Sequence, residues 1–269
     1  RGWLTRINDP AAIGTDKFGL TLKYENGTTP QYNGNISNMD WKGGKANYAQ
    51  AYTFSYDKLN RLMNAQSTNG GTFNERIDGY DLMGNIQKLS RRTTGNVVID
   101  SLTYTYGGNR LLAVEDKGST LDFVNGKTQT IEYRYDANGN MTRDFNAGLD
   151  TIQYNQLNLG FLVKKGTQTV RYVYDATGRK LRRALVGTLD SLEYADGIQY
   201  KGGSIDFLQT EEGMAYKNGT SPYIYRYNMT DHLGNVRVTV NEDGTVFQED
   251  SYYAFGMRMN LPNNTYSSP

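Results

Sequence analysis

The chain has 269 residues, with 29 basic and 28 acidic side chains, no cysteine and one histidine, His232. Near-neutral charge argues against a sequence-nonspecific nucleic-acid binder, and the missing ligands exclude a disulfide scaffold, a cysteine-ligated metal site and a multi-histidine centre. A 37% hydrophobic content, with 22 Tyr and 30 Gly beside 5 Pro, is thin for a thick dry core but suits short strands, wet on one face and joined by tight turns.

No apolar run approaches the roughly 18 residues of a membrane span. No signal peptide is visible at Arg1, and the absence of an initial Met leads us to expect a piece of a longer polypeptide. In chain order, Ala46 to Tyr56 runs from Ala and Gln into Tyr-Thr-Phe-Ser-Tyr, which alternates like a strand. A repeat then begins. Its clear copies are Tyr56-Asp57-Lys58-Leu59-Asn60, Tyr80-Asp81-Leu82-Met83-Gly84-Asn85, Tyr135-Asp136-Ala137-Asn138-Gly139-Asn140 and Tyr174-Asp175-Ala176-Thr177-Gly178-Arg179. Tyr106-Gly107-Gly108-Asn109 and Tyr154-Asn155-Gln156-Leu157-Asn158 are weaker copies, and Asp231-His232-Leu233-Gly234-Asn235 is a late variant. Successive tyrosines from Tyr56 to Tyr174 lie 19 to 29 residues apart, room for one strand–turn–strand unit each.

The physics of one unit is readable. Ile131, Tyr133 and Tyr135 share a strand face. Asp136 starts a turn in which its carboxylate accepts a nearby backbone N–H, Gly139 supplies positive φ, and Asn140 and Met141 begin the return. The same logic predicts hairpins from Arg171–Tyr174 to Lys180–Arg182 and from Tyr223–Tyr227 to Val236–Val240. No segment has capped helical periodicity, so the prediction is nearly all β. No Pro- or Ser-rich linker divides the chain, and the tail from Leu261 to Pro269 is expected to leave the body as loop.

The ordered repeats resemble the bacterial Rhs/YD-repeat family. Early segments fit: Arg1-Gly2-Trp3-Leu4-Thr5, Phe18-Gly19-Leu20 and Tyr32-Asn33-Gly34-Asn35-Ile36-Ser37. More specific is the late block of Tyr194-Ala195-Asp196-Gly197, Glu211-Glu212-Gly213, Asp231-His232-Leu233-Gly234-Asn235-Val236-Arg237 and Tyr252-Tyr253-Ala254-Phe255-Gly256-Met257. It is similar to the start of the Rhs repeat-associated core. The resemblance implies an all-β fold, an antiparallel YD-repeat sheet spiralling into a hollow shell of which this chain is a fragment. Residues 1–222 would be shell wall and residues 223–269 the start of the core, truncated before any self-cleavage region or toxin. The implied role is encapsulation of a polymorphic toxin by a protein that is secreted or on the bacterial cell surface. Partners would be the remaining repeats and the C-terminal toxin of the same polypeptide, with secretion-system components as further candidates. The alternative is a carbohydrate- or receptor-binding adhesion module, as in the teneurins, which use a similar barrel for cell adhesion. Neither catalysis nor a cofactor is expected in this stretch.

Each candidate chemical site also admits a simpler reading. His232 beside Asp231 suggests a general base or pH switch; its spacing matches the other turns, so it is read as a turn residue, and no Gly-x-Ser-x-Gly elbow accompanies it. Asp136, Asn138, Asn140 and Asp144 alternate like calcium-loop ligands, but Met141 and Ala147 stand where that loop needs Gly and a bidentate acid. Gly126-Lys127-Thr128 echoes a phosphate loop, with Leu121 in place of the required Gly, and is read as a hairpin turn at Asn125-Gly126. The pair Glu211-Glu212 would point to opposite faces of a strand, against a glycosidase. The tyrosines are read as cross-strand ladders rather than a sugar-stacking surface. Arg91-Arg92, Lys164-Lys165, Arg179-Lys180 and Arg182-Arg183 are read as solvated faces.

Overall fold

The computed structural model describes residues 2–44, 49–68, 70–119, 121–126, 129–217, 219 and 222–260. The expected tail at 261–269, Ala46 to Tyr48, and Lys127 and Thr128 lie outside the described residues. Among those described there is no α-helix, only a short 3₁₀ turn at Thr94–Asn96. By contacts the chain divides into two units: residues 1–102, 117–119 and 226–269 form the first, and residues 103–116 and 120–225 the second.

In the first unit, β1 (Arg6–Ile7), β2 (Phe18–Lys23), β3 (Asn38–Gly43), β4 (Gln50–Tyr56), β5 (Leu62–Ser67), β6 (Glu75–Ile77) and β7 (Lys88–Arg92) lie side by side in chain order, each antiparallel to the last. Consecutive strands pair here even across connections as long as residues 24–37, between β2 and β3. Strand β8 (Val98–Gly107) begins in this unit and β9 (Arg110–Asp116) follows in the second.

The second unit continues with β10 (Tyr133–Tyr135), β11 (Met141–Asp144), β12 (Thr151–Tyr154), β13 (Gly160–Lys165), β14 (Gln168–Tyr174), β15 (Lys180–Leu185), β16 (Ser191–Ala195), β17 (Ile198–Lys201), β18 (Ser204–Thr210) and β19 (Gly213–Lys217). Strands β12 to β19 again pair in chain order. Strand β20 (Tyr223–Thr230) starts in this unit and ends in the first, where it pairs with β21 (Val236–Asn241), which pairs with β22 (Val246–Glu249).

The antiparallel hairpins predicted around Gly139, Gly178 and Gly234 are all present. Burial differs sharply between the units. No residue of β12 to β18 is buried, so that sheet stands as a single layer held by neighbour-to-neighbour pairing. The first unit departs from the thin interior that composition suggests. Alternate residues Phe18, Leu20 and Leu22 of β2, Met39 and Trp41 of β3, and Tyr52 and Phe54 of β4 are buried in one cluster with Val238 and Val240 of β21. Tyr253 and Met259 belong to it too, with Tyr24, Ala65, Phe73 and Ile99. Averaging composition over the whole chain hid this concentration of apolar side chains.

Gly139 has φ +88°, and a Cβ there would meet only Arg110 Nη2, 4.0 Å away. Strain rather than crowding therefore decides what this position accepts. The equivalent places in two other units hold Asn60 and Asn158, at φ 63° and 57°, because Asn tolerates the left-handed region better than other residues with a Cβ. Gly139→Val should cost about 1–3 kcal/mol and Gly139→Asn clearly less, both read from urea unfolding; equal costs would exclude backbone strain as the cause.

Candidate functional site: repeat turns and the cleft at the late motif

Each repeat folds the same way. The Asp136 amide donates to the Asn140 carbonyl (2.9 Å), and Oδ1 accepts the amides of Asn138 and Asn140, both at 2.9 Å. Asn140 Nδ2 also donates to Oδ2 at 3.0 Å. Asp57, Asp81, Asp175 and Asp231 repeat the two-amide clamp, and in the weaker unit the Asn155 side-chain oxygen takes the same place. Donors converging on an anion favour its charged form. Asp81 and Asp136 are held below the ordinary aspartate value chiefly by the Asn85 and Asn140 side chains, Asp57 by the Arg61 amide, and Asp175 by Thr177. Gly84, Gly139, Gly178 and Gly234 all take positive φ.

The tyrosine preceding each clamp has a second task. Tyr80 OH donates to the Leu62 carbonyl (2.6 Å), Tyr135 to Leu111 (2.8 Å), Tyr154 to Met141 (2.7 Å) and Tyr174 to Gly160 (3.0 Å). Tyr56 reaches Ile36 and Tyr252 reaches Val236 in the same manner. In most cases the acceptor opens the return strand of the preceding unit, beside the bulge where the regular ladder is interrupted. Burial raises these phenols, Tyr56 to about 12, so they remain donors. For the repeat tyrosines this corrects the ladder reading, whereas Tyr52 of β4 does meet Trp41 of β3, ring centroids 5.2 Å apart. Among the described residues none of Tyr56, Tyr80, Tyr135, Tyr154 and Tyr174 stacks on another aromatic ring, because the hydroxyl end rather than the ring face meets the neighbouring unit. Removing one such bond by Tyr154→Phe should lower stability by about 0.5–1.5 kcal/mol in urea unfolding; no change would mean that the hydroxyl bond adds nothing net.

Turn chemistry engages the calcium-like carboxylates: Asp136 accepts from Asn138 and Asn140, and Asp144 Oδ1 accepts the Ala147 amide at 2.9 Å, while Asn138 Nδ2 and Asn140 Nδ2 both donate to Asn158 Oδ1, at 3.2 and 3.0 Å. No cluster of three or more metal-binding His, Cys, Asp or Glu side chains occurs among the described residues. Glu211 and Glu212 form the turn between β18 and β19 rather than strand positions, so the opposite-face argument does not apply to them. The return side of the hairpin expected at Asn125-Gly126 lies outside the described residues; the Gly126 amide donates to Asn146 Oδ1 at 3.0 Å.

The first unit holds a place where repeat residues and unassigned side chains meet around space, a cleft of about 510 Å³. Ile36, Met39, Phe54 and Leu62 give it apolar walls, and His232 and Arg237 line it as well. Arg237 is 1% exposed; its guanidinium lies 5.0 Å from the Trp41 ring, 5.5 Å from Tyr252 and 5.7 Å from Phe18, with Nη1 3.6 Å from Asp231 Oδ2. Burial lowers its pKa, against the pull of Asp231, and the surrounding ring faces help carry the charge.

Nearby, Arg91 bonds Glu75 Oε1 at 2.6 Å and Asp100 Oδ2 at 3.1 Å, while Glu75 Oε2 accepts the Phe255 amide at 2.8 Å. Arg91 is therefore part of an internal ion network, not a solvated face. Tyr253 OH donates to the Arg92 carbonyl (2.7 Å) and Trp41 Nε1 to Ser251 Oγ (3.0 Å), tying the late segment to the early strands. Sequence reasoning places Arg237 and Tyr253 within a motif but gives them no role. An arginine directly after an alternating apolar strand start, in a Tyr-rich chain, was the available signal.

His232 occupies the second place of its turn, half-buried, with Nδ1 unpartnered among the described residues. Burial lowers its pKa; Asp231 opposes this and Arg237 adds to it. The hydroxyls lining the cleft are the phenols of Tyr52, Tyr56, Tyr252 and Tyr253, and each donates to a backbone carbonyl. The imidazole thus meets no free nucleophile there. A folded pKa depressed below the ordinary 6.5 leaves the stability contribution intact above that value and removes it as pH falls through the folded pKa. As this chain has a single histidine, its imidazole NMR resonance should titrate with a midpoint below 6.5; a midpoint above 6.5 would mean that Asp231 rather than burial dominates.

No family model and no curated protein matches the sequence. Among solved structures the chain is similar to the TcdB2-TccC3 complex at 11% identity and TM-score 0.33. It is also similar to TcdB2-TccC3 without the hypervariable C-terminal region, at 11% and 0.32. A third likeness is to the Photorhabdus luminescens Tc holotoxin pore carrying a TccC3 mutation, at 10% and 0.33. Each covers 90% of this chain, which spans 17% of the length of the matched chain. Among the described residues no helix is long and apolar enough to cross a membrane.

Proposed function

We propose that this chain is a wall segment of a bacterial Rhs-type shell that encloses a toxic domain of the same polypeptide. The observation that supports this best is the seven-strand run β12 to β18, a chain-ordered antiparallel sheet without a buried residue. Such a layer gains little from core burial and is held by ladder bonds, clamped turns and tyrosine bonds between successive units, which is economical for a wall and poor for a compact catalytic domain. In this reading the stretch itself is non-catalytic, and the protein is secreted or displayed at the cell surface. The remaining repeats cover its outer strand edges, and secretion components meet the whole polypeptide.

Limited proteolysis of the full polypeptide tests this. The segment following the repeats should resist trypsin until the repeats are unfolded, and should be cut at once when expressed alone. Equal cleavage rates in the two contexts would overturn the reading.

A further inference from the structure

Every second connection of an antiparallel sheet emerges at the same end. In the first unit those between β2 and β3, β4 and β5, and β6 and β7 do so. The cleft sets the Asp231–Asn235 and Tyr253–Met257 turns beside them, since its lining includes Ile36, Tyr56 and Leu62 together with Leu233 and Phe255. This end carries Tyr32, Leu59, Leu82, Met83, Leu233 and Phe255, all exposed; Leu82 is wholly so, and Leu59 and Leu233 are 70% and 71% exposed. Turns at the other end of the same strands read Thr93-Thr94-Gly95-Asn96 and Asn241-Glu242-Asp243-Gly244-Thr245, with Val97 the one exposed large apolar side chain beside them. The unit is thus apolar at one end and polar at the other.

Nothing in the turn demands these residues. Leu59, Met83 and Leu233 each fill the third place of a turn that a clamping aspartate opens, and the same place in the second unit holds Asn138 and Thr177 with the same amide bond. Nor does the backbone at these tips need water. The amides of Leu59, Met83 and Leu233 donate to Asp57, Asp81 and Asp231, each at 2.9 Å, and that of Phe255 donates to Glu75 Oε2 at 2.8 Å. The next amides, of Asn60, Gly84, Gly234 and Gly256, return to the carbonyl that opens their own turn. Asp57 is held by Arg61 at 2.7 Å, and Lys58 is the one exposed charged side chain of the four turns. Glu25, exposed in the loop that also bears Tyr32, offsets it.

We infer that this end of the first unit docks on a lipid bilayer, its apolar turn tips entering the headgroup layer as side-chain anchors. The inference does not depend on the shell reading. Backbone that enters a medium poor in water must have its polar groups satisfied within the protein, and the clamps do this at the tips. Large apolar patches on a soluble surface mark protein or membrane contacts. A protein partner covers a continuous, closely packed area. Here single side chains protrude from separate turns with closed polar backbone between them, and fluid lipid fills around such points where a rigid surface does not. Interfacial binding adds apolar burial to attraction between cations and anionic lipid. With Lys58 offset by Glu25, the apolar part dominates, so a zwitterionic bilayer is sufficient.

Flotation of the 269-residue chain with phosphatidylcholine vesicles, with and without added phosphatidylglycerol, tests this. The chain should float with both. Leu59→Ser, Met83→Ser and Leu233→Ser together should lower partitioning at least about tenfold. Leu157→Ser, Val186→Ser and Leu189→Ser, exposed apolar positions of the second unit, should change it less than about threefold, with circular dichroism reporting that both variants fold. Brominated phosphatidylcholine should quench the emission added by Leu82→Trp and leave that added by Leu189→Trp. Absence of flotation with either vesicle, or equal loss in the two triple variants, would overturn the site. Flotation only with phosphatidylglycerol would reduce the effect to charge and overturn it as well. Vesicle-free self-association that the first triple variant abolishes, in place of flotation, would assign this end to a second copy of the chain and overturn the lipid reading.

Discussion

The structure depends on satisfying backbone polar groups where the chain reverses. A sheet without a second layer leaves each turn exposed to water, and each bulge interrupts the ladder that holds neighbouring strands. The repeat answers both demands with adjacent residues. The aspartate closes its own turn by accepting two amides, as Asp136 does from Asn138 and Asn140. The tyrosine before it leaves its own unit and donates to the unit behind, as Tyr154 does to Met141. One residue thus makes the local structure and the other makes the order between units, which explains why the two travel together as a pair.

Much of this was legible. Turn residues announce themselves through local chemistry, and a carboxylate four residues before an Asn or Arg that follows a glycine is placed to close a turn. Antiparallel pairing of the strands flanking the repeat turns, such as β14 with β15, followed from short loops. The destination of the tyrosine hydroxyls was not legible, because it depends on the offset between successive hairpins, which bulges set, as between Gln153 and Tyr154. The packed interior of the first unit was hidden for a different reason. It joins β2 to β4 with β21 and Tyr253, segments whose alternation is visible singly but whose meeting depends on tertiary topology.

The candidate cleft was half legible. The Asp231–Asn235 turn follows from its spacing, and His232 sits within that turn. Arg237 lies within the late motif, but its burial among Phe18, Trp41 and Tyr252 exists only when strands far apart in sequence converge. Similarly, Arg91 and Lys164 both sit in basic doublets, yet one is enclosed between Glu75 and Asp100 and the other is solvated. Doublets report composition, and only strand register reports environment.

The bond between Trp41 and Ser251 spans 210 residues. During synthesis at roughly 5–20 residues per second, β2 to β4 leave the ribosome on the order of 10–40 s before β21 can cover them. For that interval Phe18, Leu20, Trp41 and Phe54 lack the cover that β21 gives them. Production of this polypeptide is therefore sensitive to elongation rate and to holdase capacity, even though most of its later hairpins are able to zip up as they appear.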